Sequence, residues 1–315
     1  MFKFTDKTYL NVLIVISGIM VIRFIAGIVF PKEDDDSDDS KYEGFEQSVP
    51  FVLNENEAVW NDQFYIQLYD DIYLSSTIAT TDISHINKKT KPNVEHSCFL
   101  DIGSGTGCLL QQLQSKGYRI YGVDKSQSMV DYSQDKYPDI QVKCENVYDP
   151  MAFEPGYFTH IICNNFTIYH FEKKRMLFQN IYHWLTSGGY LVLHLVDPDK
   201  FDTIIPAGKP SIISTPQKYS KFRITETVLD FKTFQYKSKY NFQNNQVILT
   251  ETFTDEKNQH VRQYEQVLFM DTKESILDIA KQCGFVIFSQ TNYSIINNGD
   301  MFQYLIILQK TKHLQ

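Results

Sequence analysis

The sequence predicts an α/β protein: a mostly parallel sheet covered by helices, an antiparallel C-terminal hairpin, an antiparallel β insertion and one N-terminal transmembrane helix. Three observations predict it. Strand and helix patterns alternate from residue 96 onward, a rhythm that builds parallel sheets with helices on both faces. One strand runs straight into the glycine-rich turn Gly103-Ser-Gly-Thr-Gly107. Tyr9 to Phe30 is apolar apart from Asn11, Ser17 and Arg23.

The apolar run comes first in the chain. As a helix it spans about 33 Å, against a hydrocarbon core of roughly 30 Å. Arg23 costs roughly 2.5–3.5 kcal/mol at mid-membrane and less off-centre, while the surrounding Leu, Ile, Val and Phe residues return about 4–8 kcal/mol. Insertion therefore wins. The run is long for a cleaved signal peptide, and no small-x-small site precedes Pro31. Lys3 and Lys7 balance Lys32 and Lys41, so the flanking charges leave orientation open. This divides the chain into a tail over 1–8, a membrane helix over 9–30, an acidic flexible linker over 31–55 and a folded domain over 56–315.

A net charge of −8 disfavours a nucleic-acid partner, which needs a basic face, although Asp34, Asp35, Asp36, Asp38 and Asp39 supply much of the imbalance. Cys98, Cys108, Cys144, Cys163 and Cys283 are widely spaced and form no C-x-x-C pair, so neither a zinc site nor a disulfide framework is indicated. They read as buried thiols in a reducing compartment, which places the folded domain in the cytosol.

Within the domain, strands are expected over His96–Ile102, Tyr118–Val123, Ile140–Cys144, His160–Asn164 and Tyr190–Val196. Helices are expected over Cys108–Lys116, Ser128–Lys136 and Glu172–Leu185, the last stopped by Gly188 and Gly189. Residues 198–270 then alternate with period two, in Val228–Tyr236, Val247–Phe253 and Val261–Met270, and read as antiparallel strands over the mouth of the site or as a plain sheet extension. A helix over Thr272–Cys283 and strands over Phe285–Tyr293 and Met301–Lys310 close the chain, with Asn297–Asp300 as their turn.

The segment Phe99–Gly107 carries the chemistry. Dinucleotide sites use G-x-G-x-x-G; here the third glycine comes one residue early, at Gly107, and Cys108 occupies the fingerprint position. A ligand without a pyrophosphate, S-adenosylmethionine, needs a bare loop under its ribose and amino-acid tail and a nearby carboxylate, which Asp101 supplies. Asp124 ends the second strand, where a carboxylate accepts ribose hydroxyls.

The segment resembles motif I of the class I S-adenosylmethionine-dependent methyltransferases, whose sheet is Rossmann-like. Tyr121-Gly-Val-Asp124, Cys144-Glu-Asn-Val-Tyr-Asp149, Phe158–His170 and Trp184–Tyr190 are similar to the family's later motifs in order and spacing. Asn146 stands where the family usually has an aspartate, and Thr159 where an acidic residue is common. Phe64–Asp70 is similar to the aromatic helix that covers the cofactor in small-molecule members. The resemblance implies cofactor contacts from Tyr69, Asp101, Gly103, Ser104, Gly105, Gly107, Asp124, Asn146, Val147 and Asn164. It places Tyr169 and His170 beside the methyl acceptor, His170 either as general base or as a polar loop residue. His194 reads as a core histidine, and Arg262, Tyr264 and Glu265 as acceptor ligands or a strand ion pair. The implied activity is methyl transfer to a small-molecule or lipid-like acceptor at a membrane. A non-catalytic cofactor-binding scaffold is the alternative, and aminopropyl transfer lacks an evident polyamine site.

Overall fold

A computed structural model describes residues 47–209 and 216–311 of the chain. The tail, the apolar run 9–30 and the linker as far as residue 46 lie outside the described residues. Among the described residues no helix is long and apolar enough to cross a membrane.

Among the described residues, twelve strands build two sheets. In chain order the strands are β1 (Phe51–Glu55), β2 (Cys98–Ile102), β3 (Arg119–Asp124), β4 (Val142–Cys144), β5 (Phe158–Cys163) and β6 (Leu185–Val196). There follow β7 (Glu226–Asp230), β8 (Phe234–Gln243), β9 (Gln246–Asp255), β10 (Val261–Phe269), β11 (Phe285–Asn292) and β12 (Gln303–Lys310). The helices are α1 (Gln63–Tyr73), α2 (Ser75–Thr90), α3 (Cys108–Gln114), α4 (Gln127–Lys136), α5 (Lys174–Trp184), α6 (Lys273–Gln282) and α7 (Tyr293–Asn297).

The larger sheet runs β11-β12-β6-β5-β2-β3-β4. β4, β3, β2, β5 and β6 are parallel, and β12 and β11 turn antiparallel, as the sequence predicts. The chain winds outward from β2 through β3 to β4, then crosses back to β5 and β6. The strand order therefore reverses between β2 and β5, and a crevice opens at their carboxyl ends. All five residues of β2 are buried, Asp101 among them. One face packs Phe99, Ile120, Val142, Ile162 and Val192 under Ile83, Ile86, Leu110 and Leu113. Burial of such side chains is worth roughly 1.5–3 kcal/mol each and is what holds the helices down.

Several boundaries differ from the sequence reading, each for a local reason. Helix α5 ends at Trp184 because Leu185 is already extended, and Gly188 and Gly189 sit inside β6 instead of stopping the helix. Helix α2 has no counterpart in the sequence reading: its buried stripe is Ala79, Asp82, Ile83 and Ile86, and Asp82 interrupts the apolar period. The stretch Val228–Tyr236 is two strands, turned at Phe231, whose N–H donates to Phe234 O at 2.9 Å. A short helix, α7, precedes the Asn297–Asp300 turn. Cys98, Cys108 and Cys163 are buried, but Cys144 is exposed at the sheet's edge, contrary to the expectation for all five thiols.

The smaller sheet runs β1-β10-β9-β8-β7 and contains the four described strands of the insertion. Its edge strand β1 lies in what the sequence suggests is linker; Phe51–Glu55 pairs in parallel with Val261–Glu265, so the folded unit begins before residue 56. This sheet is fastened to α1 by one buried carboxylate. Glu251 accepts from Tyr65 Oη (2.5 Å), Tyr236 Oη (2.7 Å), Tyr73 Oη (2.9 Å) and Gln266 Nε2 (3.1 Å). Four donors offset the desolvation of this buried carboxyl, whose pKa burial raises.

Candidate active site

A cavity of about 620 Å³ lies at the crevice between β2 and β5. Its floor is the glycine turn. Gly103 and Ser104 donate their N–H groups to Val123 O at 2.8 and 3.1 Å, tying the turn to β3. Gly103 (φ +66°) and Gly105 (φ +48°) hold left-handed backbone that favours glycine. A Cβ on Gly103 would come within 2.6 Å of Thr167 Cγ2, whereas one on Gly105 would meet nothing within 4 Å. Gly105 thus leaves open space for a ligand to lie against the backbone.

Asp124 stands at the end of β3 with both carboxylate oxygens fixed. Gly105 N–H donates to one oxygen and Ser126 N–H to the other, each at 2.9 Å. Burial raises its pKa, and the backbone donors oppose that shift. Ser126 also caps α4 and donates from its hydroxyl to Trp60 O at 2.6 Å. The 3-10 turn Asn56–Asn61, which follows β1, is thereby anchored over the cavity. Trp60 stacks edge-on to both Tyr69 (6.0 Å) and His170 (5.4 Å), forming an aromatic wall. Lys125 pairs with Glu57 at the rim.

Behind the turn lies a second chamber of about 80 Å³, which shares Tyr69, Gly103 and Gly105 with the first. Asp82, Asp101, Ser104 and Asn164 line it. Asn164 Nδ2 and Tyr293 Oη donate to the two oxygens of Asp82, while Asn164 Oδ1 and Ser104 Oγ are buried without a partner. Burial lifts Asp101 to about 8, reinforced by Asp124, and lifts Asp82 to about 7 against the Tyr293 hydrogen bond. Two carboxyls and two orphaned oxygens, with no lysine or arginine on the chamber wall, await a donor-rich cationic group. The residues present fit S-adenosylmethionine: the chamber suits an ammonium, Asp124 suits ribose hydroxyls, and Asn146 and Val147 line the far end.

A pH dependence follows. Each of these carboxyls keeps a proton in the folded protein that the unfolded chain has released above about pH 4. Their stabilising contribution is therefore full below about pH 4 and is lost as pH rises through about 7 for Asp82 and 8 for Asp101. A bound ammonium favours the carboxylates, so binding of S-adenosylmethionine is expected to release protons at pH 7 and to tighten toward pH 8. Calorimetry in buffers of different ionisation heat checks this; zero proton release would place the ammonium elsewhere.

The structure distributes the expected residues unevenly. Tyr69, Gly103, Gly105, Asp124, Asn146, Val147 and His170 line the large cavity, and Asp101, Ser104 and Asn164 the small one. Gly107 lines neither: its left-handed backbone packs beneath Ile140 Cδ1, 2.5 Å from where a Cβ would sit, so it serves helix packing. Asn146 Oδ1 already accepts the Tyr148 N–H at 3.0 Å, which leaves one lone pair for a ligand. Thr159, where an acid is common, bonds Cys98 N and O and so ties β5 to β2.

Tyr169 is corrected from acceptor-side residue to core residue. Its ring is wholly buried and its hydroxyl accepts the Val196 N–H at 2.8 Å. Tyr169→Phe is expected to cost about 1–3 kcal/mol in urea unfolding, from the orphaned N–H, with methyl transfer by the folded protein unchanged. His170 does face the cavity, and burial lowers its imidazole to about 4. It is neutral at pH 7 and a weak base. His194 is a buried core histidine bonded to Gln303 at 3.0 Å. Arg262 pairs with Asp62 and Tyr264 is buried, so neither reaches the cavity.

Sequence reasoning placed the insertion over the mouth of the site but did not name the residues of the roof. Gln246, Gln266, Val267 and Phe269 of the insertion line the cavity, as do Trp60 and Asn61 from the turn after β1. The insertion therefore contributes to the site and is more than an edge extension. Trp60, one of two tryptophans, was the only compositional hint.

Comparison with known proteins agrees with this geometry. A family model described as methyltransferase domain matches residues 100–193. A putative methyltransferase, 235L, of Invertebrate iridescent virus 6 is 25% identical over 145 residues, 45% of this chain and 51% of the relative. The match thus spans about half the length of that curated relative. Among solved structures, an S-adenosylmethionine-dependent methyltransferase from Clostridium acetobutylicum superposes with a TM-score of 0.59 at 14% identity, over 78% of this chain and 98% of that one. CalS10 with S-adenosylmethionine bound, an amino pentose methyltransferase from Micromonospora echinaspora, gives 0.58 at 16% identity, over 79% and 99%. At these identities the likeness is one of fold.

Proposed function

We propose that this chain, whose residues 100–193 match a methyltransferase-domain family model, is an S-adenosylmethionine-dependent methyltransferase that transfers a methyl group to a small polar acceptor held under the β insertion. The observation that carries the proposal is the continuity of one cavity from the Asp124 end to Gln246 and Gln266 of the insertion. The bound cofactor supplies an activated sulfonium methyl. The chain's own residues bind, orient and exclude water. Asp124 and the Gly103–Gly105 backbone hold the nucleoside end, and Asp82 and Asp101 hold the amino-acid tail. Trp60, Tyr69 and His170 wall the reacting region and keep it dry, so alignment supplies most of the rate.

The lining argues for an acceptor that is neutral or bears an amine. Its carboxylates are Glu57, Asp124 and Glu145, and its lysine, Lys125, is paired with Glu57. Phosphate- or carboxylate-bearing acceptors would meet net negative charge. The weak base His170 suits a nucleophile that is already unprotonated, since it accepts a hydrogen bond without removing a proton. The amino pentose acted on by CalS10 belongs to this chemical class. The apolar run 9–30 tethers the domain to a membrane, with the domain on the cytosolic side. The test is transfer of labelled methyl from S-adenosylmethionine to amine, polyol and lipid fractions. Label in an amine fraction supports the proposal, and label in a polyol fraction alone overturns the role given to His170. Label in lipid alone overturns the acceptor class, and cofactor binding without any transfer favours the scaffold alternative.

A further inference from the structure

The roof of the cavity contains an unpaired stretch of strand. Along a β-strand the N–H and C=O of one residue point to the same edge, and successive residues alternate between edges. In β10, Val261 N–H donates to Pro50 O at 2.8 Å, toward β1, and Met270 N–H donates to Asn245 O at 2.7 Å, on the β9 side. The register of β10 with β9 is unbroken, so odd-numbered residues of β10 present their peptide groups to the β1 edge. Pairing with β1 ends at Glu55 and Glu265. There Asn56 takes φ +51° and the chain departs as the 3-10 turn.

Val267 is the next odd residue, and β1 no longer covers it. No hydrogen bond joins its N–H or C=O to another described residue on that edge. The following odd residue is occupied: Phe269 O accepts Lys174 Nζ at 2.9 Å and Asp271 N–H at 3.0 Å. Val267 lines the cavity, flanked there by Gln266 and Phe269. Val267 is half-buried, so its unpaired N–H and C=O are within reach of water or of a ligand in the cavity.

We propose that the Val267 peptide is the docking edge for the methyl acceptor, and that the acceptor carries neighbouring hydroxyl and amine groups. One of the two accepts from Val267 N–H, and the other donates to Val267 C=O. This deepens the methyltransferase proposal and rests on it. It adds a specificity element made of backbone, which no side-chain motif reveals.

The test uses the full-length protein labelled with ¹⁵N-valine and saturated with S-adenosylhomocysteine. Val267→Ile identifies the Val267 amide resonance by its loss. D-glucosamine, with its adjacent amine and hydroxyl, is expected to shift that resonance, and cyclohexylamine is not. Val267→Pro removes the N–H on the open edge without removing a ladder bond, and is expected to weaken D-glucosamine binding about tenfold, the worth of one hydrogen bond, with S-adenosylhomocysteine affinity unchanged. If Val267→Pro does not fold, the resonance shift alone decides. A Val267 resonance unmoved by D-glucosamine, or one moved equally by cyclohexylamine, overturns the proposal, as does unchanged D-glucosamine binding by folded Val267→Pro. Failure of the underlying methyltransferase proposal looks different: Val123 and Val147, at the nucleoside end, would not respond to S-adenosylhomocysteine.

Discussion

Asp124→Ala is expected to weaken S-adenosylmethionine binding by about 10²–10⁴-fold. The carboxylate would hold two ribose hydroxyls, and hydrogen bonds to a charged group are worth about 1.5–3 kcal/mol each, so losing two removes about 3–6 kcal/mol. The residue cannot be replaced by movement of a neighbour, because its orientation is set by the Gly105 and Ser126 N–H groups at 2.9 Å. Alanine also frees both N–H groups, so the glycine turn loses its Gly105 tie to β3 and keeps those of Gly103 and Ser104 to Val123 O. Asp124→Asn keeps an acceptor oxygen and is expected to fall between the two. Titration calorimetry measures all three, with circular dichroism to show that the variants fold. Wild-type affinity in folded Asp124→Ala would remove the nucleoside from this end of the cavity.

Glu251→Ala is expected to be the most destabilising single change in the insertion. It would leave Tyr65, Tyr73 and Tyr236 hydroxyls and the Gln266 amide without their acceptor. At about 1–3 kcal/mol per orphaned buried donor the loss is at least about 4 kcal/mol, or a fall in Tm of about 8 °C or more. The relief of desolvating a carboxylate, whose pKa burial already raises, offsets part of this. Glu251→Gln keeps the volume and one acceptor oxygen and is expected to lose less. Because Gln266 lines the cavity, acceptor affinity should fall with the docking of the insertion sheet on α1. Urea unfolding of the two variants measures the effect. A cost below about 1 kcal/mol for Glu251→Ala would mean the tyrosines find other partners and the insertion is held by its apolar face.

Some of this was legible in the residues. Motif I and Asp124 could be read because their chemistry is local: a strand must stop, glycines must turn, and a carboxylate must end the next strand within one βαβ unit. The alternation of strands and helices likewise fixes the parallel sheet and its C-terminal antiparallel pair, since each element's period reports which face it buries.

What the sequence by itself determined, then, is the glycine turn, the carboxylate that ends β3 and the sheet that carries them. Only the tertiary structure decided the rest. Tyr169 and His170 are adjacent in sequence, yet one is locked in the core by Val196 and the other faces the cavity, a choice made by packing. Asp82 lines the small chamber only because α2 lays it beside Asp101 and Asn164. β1 becomes a strand because β10, more than two hundred residues away, offers it an edge. Val267 is left uncovered by β1 because that pairing stops at Glu265. Such features depend on non-local pairing; the alternation of a strand such as β10 shows which face it buries but not which distant segment pairs with its edge.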